Sequence, residues 1–466
     1  MRGVTGAMER VGESEAIGAA PRVSFGAAFR IWLKIGLLSF GGPAGQIATM
    51  HRILVDEKKW IGEARFLHAL NYCMVLPGPE ATQLATYIGW MLHRTAGGLT
   101  AGILFVMPGA FVILALSTIY AGFHKVALVQ AVFFGIKAAV LAVVIEALLR
   151  IAMRALKNSW MYALAATAFV GIFFLDIPFP LIVIAAGLIG YFGGKLRPDR
   201  FIVIKPQGGA AAEAPRAAER AHDARPPVAG AATAATLALW LFIWLAPVAA
   251  LWLALGWGDP FTEIGRFFST MAIVTFGGAY AVLAYVAQEA VTTYGWLSPG
   301  EMLDGLGLAE TTPGPLILVL EYVGYLAAFR HADGLDPYLA GTLGALLTVW
   351  VTFAPSFLFI FVGAPYVERT RGMPGFSAAL SGITAAVVGV VLNLTVWFAL
   401  NVVFAKVETL RWHGLRLYVP EFASLDAASL ALAAAALVAM LKFKVGMIPT
   451  LAAAAALGAA WHLALR

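Results

Sequence analysis

Charged residues are scarce in this chain. Only 12% of its 466 residues are Asp, Glu, Lys or Arg, whereas 61% are hydrophobic. A soluble protein of this length carries about twice that share of charge. Apolar stretches of roughly 18 residues or more recur from Phe25 onwards, and each is long enough to cross a hydrocarbon core of roughly 30 Å. The composition excludes an ordinary soluble domain and predicts an all-α polytopic membrane protein.

The sequence has one cysteine and lacks nucleotide-binding loops and metal clusters. The single cysteine, Cys73, excludes an intramolecular disulfide and suits a packing role. The sequence has no Gly-x-x-x-x-Gly-Lys-Ser/Thr loop, which argues against an ATP-driven pump. Its histidines lack metal-ligand spacing, and it has no acidic cluster for a membrane-embedded transferase. We therefore expect a protein that is not an enzyme and that uses no cofactor and no metal.

The apolar runs number about 13, and we interpret each as a candidate transmembrane span. Six precede a polar central segment and seven follow it. The Pro-Gly-Pro segments described below leave open whether two of these runs span the membrane or re-enter it. The runs lie near residues 25–41, 66–92, 98–121, 127–150, 159–175, 178–194, 234–256, 264–287, 302–328, 339–363, 377–403, 424–441 and 446–464.

Composition shifts divide the chain into five parts. The first residues are polar and lack the pattern of a secretory signal, and the central segment is rich in Pro, Ala and basic residues, as flexible linkers are. The predicted parts are an N-terminal tail at 1–23, a first repeat at 24–194, a basic cytoplasmic linker at 195–232, a linking transmembrane helix at 233–258 and a second repeat at 259–466.

The net charge of +6 reports membrane topology and not nucleic-acid binding, because basic residues collect in cytoplasmic loops. An N-terminus inside places the linker, Arg150, Arg154 and Lys157 on the cytoplasmic side. The loop from Arg52 to Arg65 disagrees with this rule. Either that loop is an exception or the following segment is re-entrant. The expected location is the bacterial inner membrane, with several passes.

An internal repeat organises the sequence. At an offset of 236 residues, one set of residues recurs in the same order in both halves. Past an insertion near His331, the offset becomes 247. A register shared over more than about 100 residues indicates a duplication, and six spans per copy with one linking helix would place the copies in opposite orientations. The matches at 236 pair Arg30 with Arg266, Ser39-Phe40-Gly41-Gly42 with Thr275-Phe276-Gly277-Gly278, and Pro77-Gly78-Pro79 with Pro313-Gly314-Pro315; those at 247 pair Pro108 with Pro355 and Gly135 with Gly382.

The paired Gly and Pro motifs predict broken helices. Each Pro-Gly-Pro removes two backbone donors, and its second proline suits the first residue of a new helix. The free N–H groups at such a start, with the positive end of the helix dipole, form an anion site. Plain packing kinks are the alternative. The candidate substrate-binding residues of the motifs are Gly41, Gly42, Pro43, Pro77, Gly78, Pro79, Gly277, Gly278, Pro313, Gly314 and Pro315.

Five charged residues complete the predicted site. Arg30 and Arg266 are repeat equivalents that either neutralise an anion or extend to the membrane surface. Lys137 falls within an apolar span, where an unpaired ammonium is costly and indicates function. Glu80 and Glu310 border the two Pro-Gly-Pro motifs and are candidates for proton coupling, although Glu80 would also stabilise a helix dipole.

The motifs together resemble the chromate ion transporter (CHR) family in its long two-domain form. The resemblance rests on Phe40-Gly41-Gly42-Pro43, on Phe276-Gly277-Gly278, on the Trp that follows each, and on both Pro-Gly-Pro segments. It covers nearly the whole chain outside the tail and linker. Ala279 stands where the first copy has Pro43, so the halves need not contribute equally.

The resemblance implies a secondary transporter that exports chromate, confers chromate resistance and has homologous, oppositely oriented halves. Sulfate, an ion of the same charge and similar shape, is an alternative substrate, and an anion channel is an alternative mechanism. The expected partners are chromate or sulfate and the lipid bilayer, with no nucleic acid. A homodimer is left open, as are the coupling ion and the direction of transport.

Overall fold

The structure is a computed structural model that describes residues 23–40, 42–74, 76–203, 230–276, 278–364 and 374–465. Gly41, Gly277, nearly all of the predicted tail and most of the predicted linker lie outside these residues. Within the described chain, the secondary structure is helical except for one two-stranded hairpin. The predicted all-α polytopic fold is confirmed.

Among the described residues up to 203, the structure has eight helices. They are α1 Phe25–Leu38, α2 Gly42–His51 with a π-helical turn Arg52–Glu57, α3 Glu63–Cys73, α4 Glu80–Phe123, α5 Ala127–Ala155, α6 Ser159–Phe173, α7 Phe179–Leu196 and the short α8 Pro198–Phe201.

The described residues from 230 onwards contain nine helices and the hairpin. They are α9 Gly230–Leu255, α10 Pro260–Val274, α11 Ala279–Gln288 with a π-helical turn Glu289–Thr293, α12 Pro299–Thr311, a 3₁₀ turn Leu316–Leu318, α13 Val319–Arg330, α14 Pro337–Gly363, α15 Pro374–Val403, β1 Val407–Trp412, β2 Leu415–Pro420, a 3₁₀ turn Phe422–Ser424, α16 Ala427–Leu441 and α17 Met447–Leu465.

Polar caps set where several helices begin. Ser24 accepts a bond from the N–H of Ala27 at 3.3 Å, and Asp259 accepts from Phe261 at 2.9 Å before Pro260 opens α10. Ser298 and Glu301 form a capping box at α12. Each cap satisfies backbone donors that the first helical turn leaves free.

Helices recur between the two halves at constant spacing. The start of α5 at Ala127 and that of α15 at Pro374 differ by 247 residues, as the sequence matches do. Both α16 and α17 follow α6 and α7 by 268 residues, because the hairpin is inserted between α15 and α16. The domain boundaries themselves stay predictions.

The last two helices of each half pack on a helix of the other half. In the described chain α6 and α7 pack against α15, while α16 and α17 pack against α5. Glycines allow the close approach: a Cβ added at Gly135 would lie 1.9 Å from the carbonyl oxygen of Ala454, and one added at Gly382 would lie 2.5 Å from that of Ala186. The two contacts are repeat equivalents, so the exchange of helices is reciprocal.

The long helix α4 is two segments that fold back on each other. The backbone is non-helical at His93 and Arg94, and a Cβ at Gly89 would lie 2.4 Å from the carbonyl oxygen of Gly97. The arms are residues 80–92 and 95–123. The first arm is about 20 Å long at 1.5 Å per residue, which is too short to cross the membrane alone. Helices α13 and α14 form the equivalent pair, with Gly344 against the carbonyl of Gly324.

Six helices of the described chain are long and apolar enough to span a membrane: residues 80–123, of which the arm 95–123 is long enough by itself, and residues 127–155, 179–196, 230–255, 337–363 and 377–403. Three shorter apolar helices cover 159–173, 427–441 and 447–461. Four predicted spans are interrupted. The runs at 25–41 and 264–287 are divided after Leu38 and Val274, and those at 66–92 and 302–328 at the Pro-Gly-Pro motifs. The number of 13 spans stays a prediction.

Candidate functional site

The Gly and Pro motifs of the two halves bond to each other across the middle of the molecule. The N–H of Gly78 donates to the carbonyl of Thr275 at 2.8 Å, and the N–H of Gly314 donates to the carbonyl of Ser39 at 2.7 Å. The two bonds are equivalent, because a shift of 236 residues relates Gly78 to Gly314 and Ser39 to Thr275. Each Pro-Gly-Pro break is therefore fixed to the segment that ends the first helix of the other half.

Glycine is required at the centre of each break. Gly78 has φ +117° and Gly314 has φ +101°, a region that side chains with a Cβ rarely adopt. Glutamine side chains brace the same backbone: Gln83 Nε2 donates to the carbonyl of Pro77 at 2.6 Å, and Gln46 Nε2 donates to that of Gly314 at 2.7 Å. The irregular backbone is thus held by protein groups, as membrane depth demands.

Both breaks open a new helix with uncapped N–H groups, as the sequence predicts. Helix α4 begins at Glu80 after Pro79, without a side-chain cap, and Gln83 is the first residue to bond back, to Pro79. The second start is a 3₁₀ turn at Leu316 before α13. Within the described chain the N–H groups of Glu80, Ala81 and Leu316 have no hydrogen-bond acceptor. Such donors bind anions.

Both breaks lie against long helices, away from the ends of those helices. A Cβ at Gly109 would lie 2.2 Å from the carbonyl oxygen of Pro313, and one at Gly78 would lie 3.4 Å from Ser356 Oγ. Gly109 and Ser356 directly follow the equivalent prolines Pro108 and Pro355. Since Gly109 is the central residue of the arm 95–123, the second break lies near the middle of a helix that is long enough to span.

A cavity of about 280 Å³ lies beside the second break. Its polar lining comes from Glu146 and Arg150 of α5, Tyr280 of α11, Glu310 of α12 and Lys444 in the turn between α16 and α17. The ion pair of Arg150 Nη2 with Glu146 Oε1, at 2.5 Å, confirms the structural pair that the four-residue spacing indicates. Two cations and two carboxyl groups thus surround a space that reaches the protein surface.

Glu310 belongs to the lining of this cavity, and Glu80 lies near the second Phe-Gly-Gly motif. Glu310 is 2% exposed, and the hydroxyl of Tyr280 donates to its Oε1 at 2.5 Å. Glu80 Oε1 lies 4.0 Å from where a Cβ on Gly278 would stand. Both predicted coupling residues therefore lie near the Gly and Pro motifs, although they are not repeat equivalents.

Of the predicted motif residues, Gly78 bonds to the end of α10 and Gly314 to the end of α1, Gly278 lies near Glu80, and Pro313 lies against Gly109. The other described motif residues stand at or near helix starts: Gly42, Pro43, Pro77, Pro79 and Pro315. Gly41 and Gly277 lie outside the described residues. Whether any of these residues binds an anion stays a prediction.

Lys137 lies apart from the motifs, in a buried polar cluster. Its Nζ is 3.3 Å from Asp304 Oδ2, and the same oxygen accepts a bond of 2.7 Å from the hydroxyl of Tyr120. Asp304 is 3% exposed. An ion pair explains how an ammonium is tolerated in an apolar helix, and this placement favours a structural role for Lys137.

Arg30 and Arg266 lie on exposed helix faces. Arg30 shares its exposed face of α1 with Phe29 and Leu33, and the guanidinium of Arg266 lies 5.9 Å from the ring centroid of Trp257. A cation beside an aromatic ring on an apolar surface is typical of a side chain that extends to the membrane interface. The structure thus favours the snorkelling alternative for this pair.

Sequence reasoning missed three polar residues of these clusters. Tyr280 corresponds to Ala44 and Lys444 to the loop residue Asp176, so no repeated residue type marks either of them. Asp304 could have been found, because a carboxylate within an apolar run indicates a functional or paired group.

Comparison with known proteins identifies the family. The model of the chromate transporter family matches residues 26–191 and 262–459, one segment in each half. A chromate transport protein of Pseudomonas aeruginosa is 33% identical over 379 residues, which are 81% of this chain and 81% of that protein. One from Cupriavidus metallidurans is 28% identical over 371 residues, which are 79% of this chain and 81% of that protein.

A probable chromate transport protein of Synechococcus elongatus is 26% identical over 370 residues, which are 78% of this chain and 82% of that protein. No solved structure matches the chain significantly. The family model covers more than half of the chain, in both of its halves, and the chain therefore belongs to the chromate transporter family.

Proposed function

We propose that this protein is a secondary transporter that exports chromate from the cytoplasm across the bacterial inner membrane and so confers chromate resistance. The anion is held at the starts of the two broken helices, between halves of opposite orientation. The observation that carries the proposal is the reciprocal pair of bonds, Gly78 to Thr275 and Gly314 to Ser39. It supports a site that both halves build together near the bilayer midplane.

The chemistry of the breaks suits a tetrahedral dianion. Uncapped N–H groups at Glu80 and Leu316 supply directed donors, and the helix dipoles add positive potential at the same points. Arg150 and Lys444 line the neighbouring cavity and attract an anion towards it. Chromate and sulfate share charge and shape, so relatives named for chromate transport favour chromate as the substrate.

The cavity faces the cytoplasm under the positive-inside rule. It opens beside Arg150, close to Arg154 and Lys157 at the end of α5, and basic residues collect on the cytoplasmic side. An exporter that is open in this direction receives its substrate from the cell. Glu310, buried in the lining of the cavity, is the candidate for proton exchange with the anion.

Flux measurements test the function. The purified protein is reconstituted into proteoliposomes, and chromate and sulfate uptake are measured with no gradient, with an imposed pH gradient and with an imposed potential. Chromate flux that saturates, that exceeds sulfate flux and that responds to the pH gradient supports a proton-coupled chromate carrier.

Other outcomes assign the alternatives. Equal chromate and sulfate flux indicates a general oxyanion carrier. Flux that follows the potential without saturation indicates a channel. Liposomes without protein are the blank, and flux at their level in every condition contradicts the proposal.

A further inference from the structure

The cavity has an equivalent region in the other half of the molecule, and that region is closed. Under the repeat spacings, Glu146 and Arg150 correspond to Asn393 and Trp397, and Lys444 corresponds to Asp176. Asn393 and Trp397 border a space of only about 10 Å³, room for about one water molecule. One of two equivalent regions is therefore open and the other filled.

Asp176, in the turn between α6 and α7, is the centre of the closed region. Its Oδ1 lies 2.5 Å from Arg416 Nη1 and accepts a bond of 2.9 Å from Gln288 Nε2, and its Oδ2 lies 3.0 Å from Arg411 Nη2. Three side chains, one each from α11, β1 and β2, thus converge on one carboxylate.

The hairpin of β1 and β2 supplies both arginines. The backbone N–H of Arg416 donates to the carbonyl of Phe174 at 2.7 Å, and its Nε and Nη2 donate to the carbonyls of Phe173 and Ile172. The arginine is 4% exposed. The hairpin is an insertion without an equivalent between α5 and α6, so only one of the two regions has this cover.

Gln288 joins the closed region to the helix that also borders the cavity. It ends α11, whereas Tyr280, near the start of α11, lines the cavity. Eight residues of helix separate them, about 12 Å along the axis. The open cavity and the closed cluster therefore lie towards opposite ends of α11. Gly278, of the second Phe-Gly-Gly motif, directly precedes the N-terminal end of this helix.

The equivalent contact on the open side is absent from the described chain. Arg52 corresponds to Gln288 and Lys444 to Asp176, and no hydrogen bond joins this pair among the residues described. Arg52 instead pairs with Glu57 at 3.4 Å, and Lys444 lines the cavity. Two cations in equivalent positions do not attract each other, whereas Gln288 and Asp176 do.

We propose that the contact of Gln288 with Asp176, held in place by Arg411 and Arg416 of the hairpin, is the closed gate of the oxyanion path. The cavity beside Glu310 is the open mouth of the same path. This inference rests on the proposed transport function. During a transport cycle, α11 parts from the turn at Asp176, so that the anion leaves on the side opposite the cavity. Gln288 and Asp176 are positioning residues, since neither holds the anion.

A reversible cross-link tests the gate in the full-length protein. In a Cys73→Ala background, Gln288→Cys and Arg411→Cys place two thiols beside Asp176 and leave its bond to Arg416 intact. A short bis-methanethiosulfonate reagent joins them, and a reductant separates them. We expect chromate flux to fall more than tenfold after cross-linking and to return after reduction. Flux that is the same in the cross-linked and reduced protein would overturn the gate.

The matched control is a cross-link within the hairpin. Lys406 Nζ and Glu421 Oε2 lie 3.5 Å apart at its base, so Lys406→Cys with Glu421→Cys joins the hairpin to itself and not to α11. Cross-linking this pair is expected to leave flux unchanged. A loss equal to that of the first pair would mean that the hairpin acts by its own flexibility, and the proposed contact would be wrong.

Thiol labelling tests the gate without any transport. In the same background, the thiol of Val445→Cys measures access to the cavity, and that of Ala284→Cys measures access to the closed region. A membrane-impermeant maleimide is added to one face or the other of oriented vesicles. We expect Val445→Cys to react from one face. Ala284→Cys should react from the other face only after Gln288→Ala is added. Equal reaction of Ala284→Cys with and without Gln288→Ala contradicts the gate. Absent chromate flux with the expected labelling contradicts the proposed function alone.

Discussion

Gly109 and Pro313 are in backbone contact: a methyl group at Gly109 would stand 2.2 Å from the carbonyl oxygen of Pro313. A carbonyl in a braced break cannot move aside cheaply, so Gly109→Ala should lower the free energy of unfolding by about 1–3 kcal/mol and reduce transport. Thermal unfolding in detergent and flux in proteoliposomes measure the two effects.

The control for this substitution is Gly26→Ala. Gly26 is also helical, but a Cβ there has no atom within 4 Å. Its replacement should be neutral or should stabilise α1 by about 0.5–1 kcal/mol. Equal stability of the two variants would show that the break yields to a methyl group.

The prolines that open the two helices are expected to matter for transport more than other prolines. Pro79→Ala or Pro315→Ala restores a backbone donor and lets the preceding helix continue, which removes part of the proposed anion site. Chromate flux should fall at least tenfold in both variants, while the amount of protein in the membrane is retained because alanine favours helix. Proteoliposome flux, normalised to inserted protein, is the measurement.

Pro247→Ala is the comparison for these two variants, since Pro247 lies inside α9 and away from the breaks. Pro108 is less suitable, because it adjoins Gly109. If Pro247→Ala reduced flux as much as Pro315→Ala did, loss of any membrane proline would explain the result, and the anion site would lose its support.

Substitutions at Lys137 and Asp304 distinguish a structural role for Lys137 from a role in binding the anion. Lys137→Met leaves a buried carboxylate without its cation and should lower the free energy of unfolding by roughly 1–3 kcal/mol. Adding Asp304→Asn removes that charge and keeps an acceptor for Tyr120. The double variant should therefore regain stability and flux. Thermal unfolding of both variants measures this, and flux that stays low in a double variant of normal stability would return Lys137 to the anion path.

Glu310 is expected to couple protons to the anion. Glu310→Gln keeps an acceptor for the hydroxyl of Tyr280 but cannot exchange a proton, so transport should lose its response to a pH gradient while chromate exchange without a gradient continues. Uptake with and without the gradient is compared. The exposed Glu408→Gln on the hairpin is the matched control. A pH-gradient response equal to that of the unsubstituted protein would exclude Glu310 as the coupling group.

Arg266 should act as an interface anchor. Because its guanidinium lies over Trp257 on an exposed face, Arg266→Gln is expected to leave chromate flux within about twofold of the unsubstituted protein, since one exposed cation–π contact contributes only about 0.5–1 kcal/mol. Arg150→Gln, in the cavity, should lower the apparent affinity for chromate. The reverse order of the two effects would restore the sequence-based hypothesis for Arg266.

Sequence patterns predicted the parts of this fold that depend on local chemistry. Gly78 and Gly314 interrupt helices wherever they stand, because two flanking prolines remove backbone donors, and the repeat pairs them. The polytopic all-α class follows equally directly from apolar run length. Apolar run length predicts one span at 25–41, whereas helix α1 ends at Leu38. The prediction fails there because hydropathy does not reveal a break in the helix inside an apolar segment.

The remaining features depend on contacts between distant parts of the chain. Tyr280 and Lys444 line one cavity with Glu146 because α11 packs on α15 while α16 and α17 pack on α5, and no local pattern encodes these contacts. Asp176 and Arg416 are 240 residues apart in sequence, and an isolated charge in a loop gives no indication of its partner. The exposed positions of Arg30 and Arg266 likewise depend on which helix face packs inwards.

The reciprocal packing of α6 and α7 on α15 sets an order of events during synthesis. Helix α7 ends at Leu196 and α15 begins at Pro374, so at about 5–20 residues per second the first pair of helices waits about 10–35 s for its partner. During that interval the glycine face around Gly190 lacks the helix against which it packs in the complete protein. The first half therefore cannot complete its packing before α15 of the second half has been made.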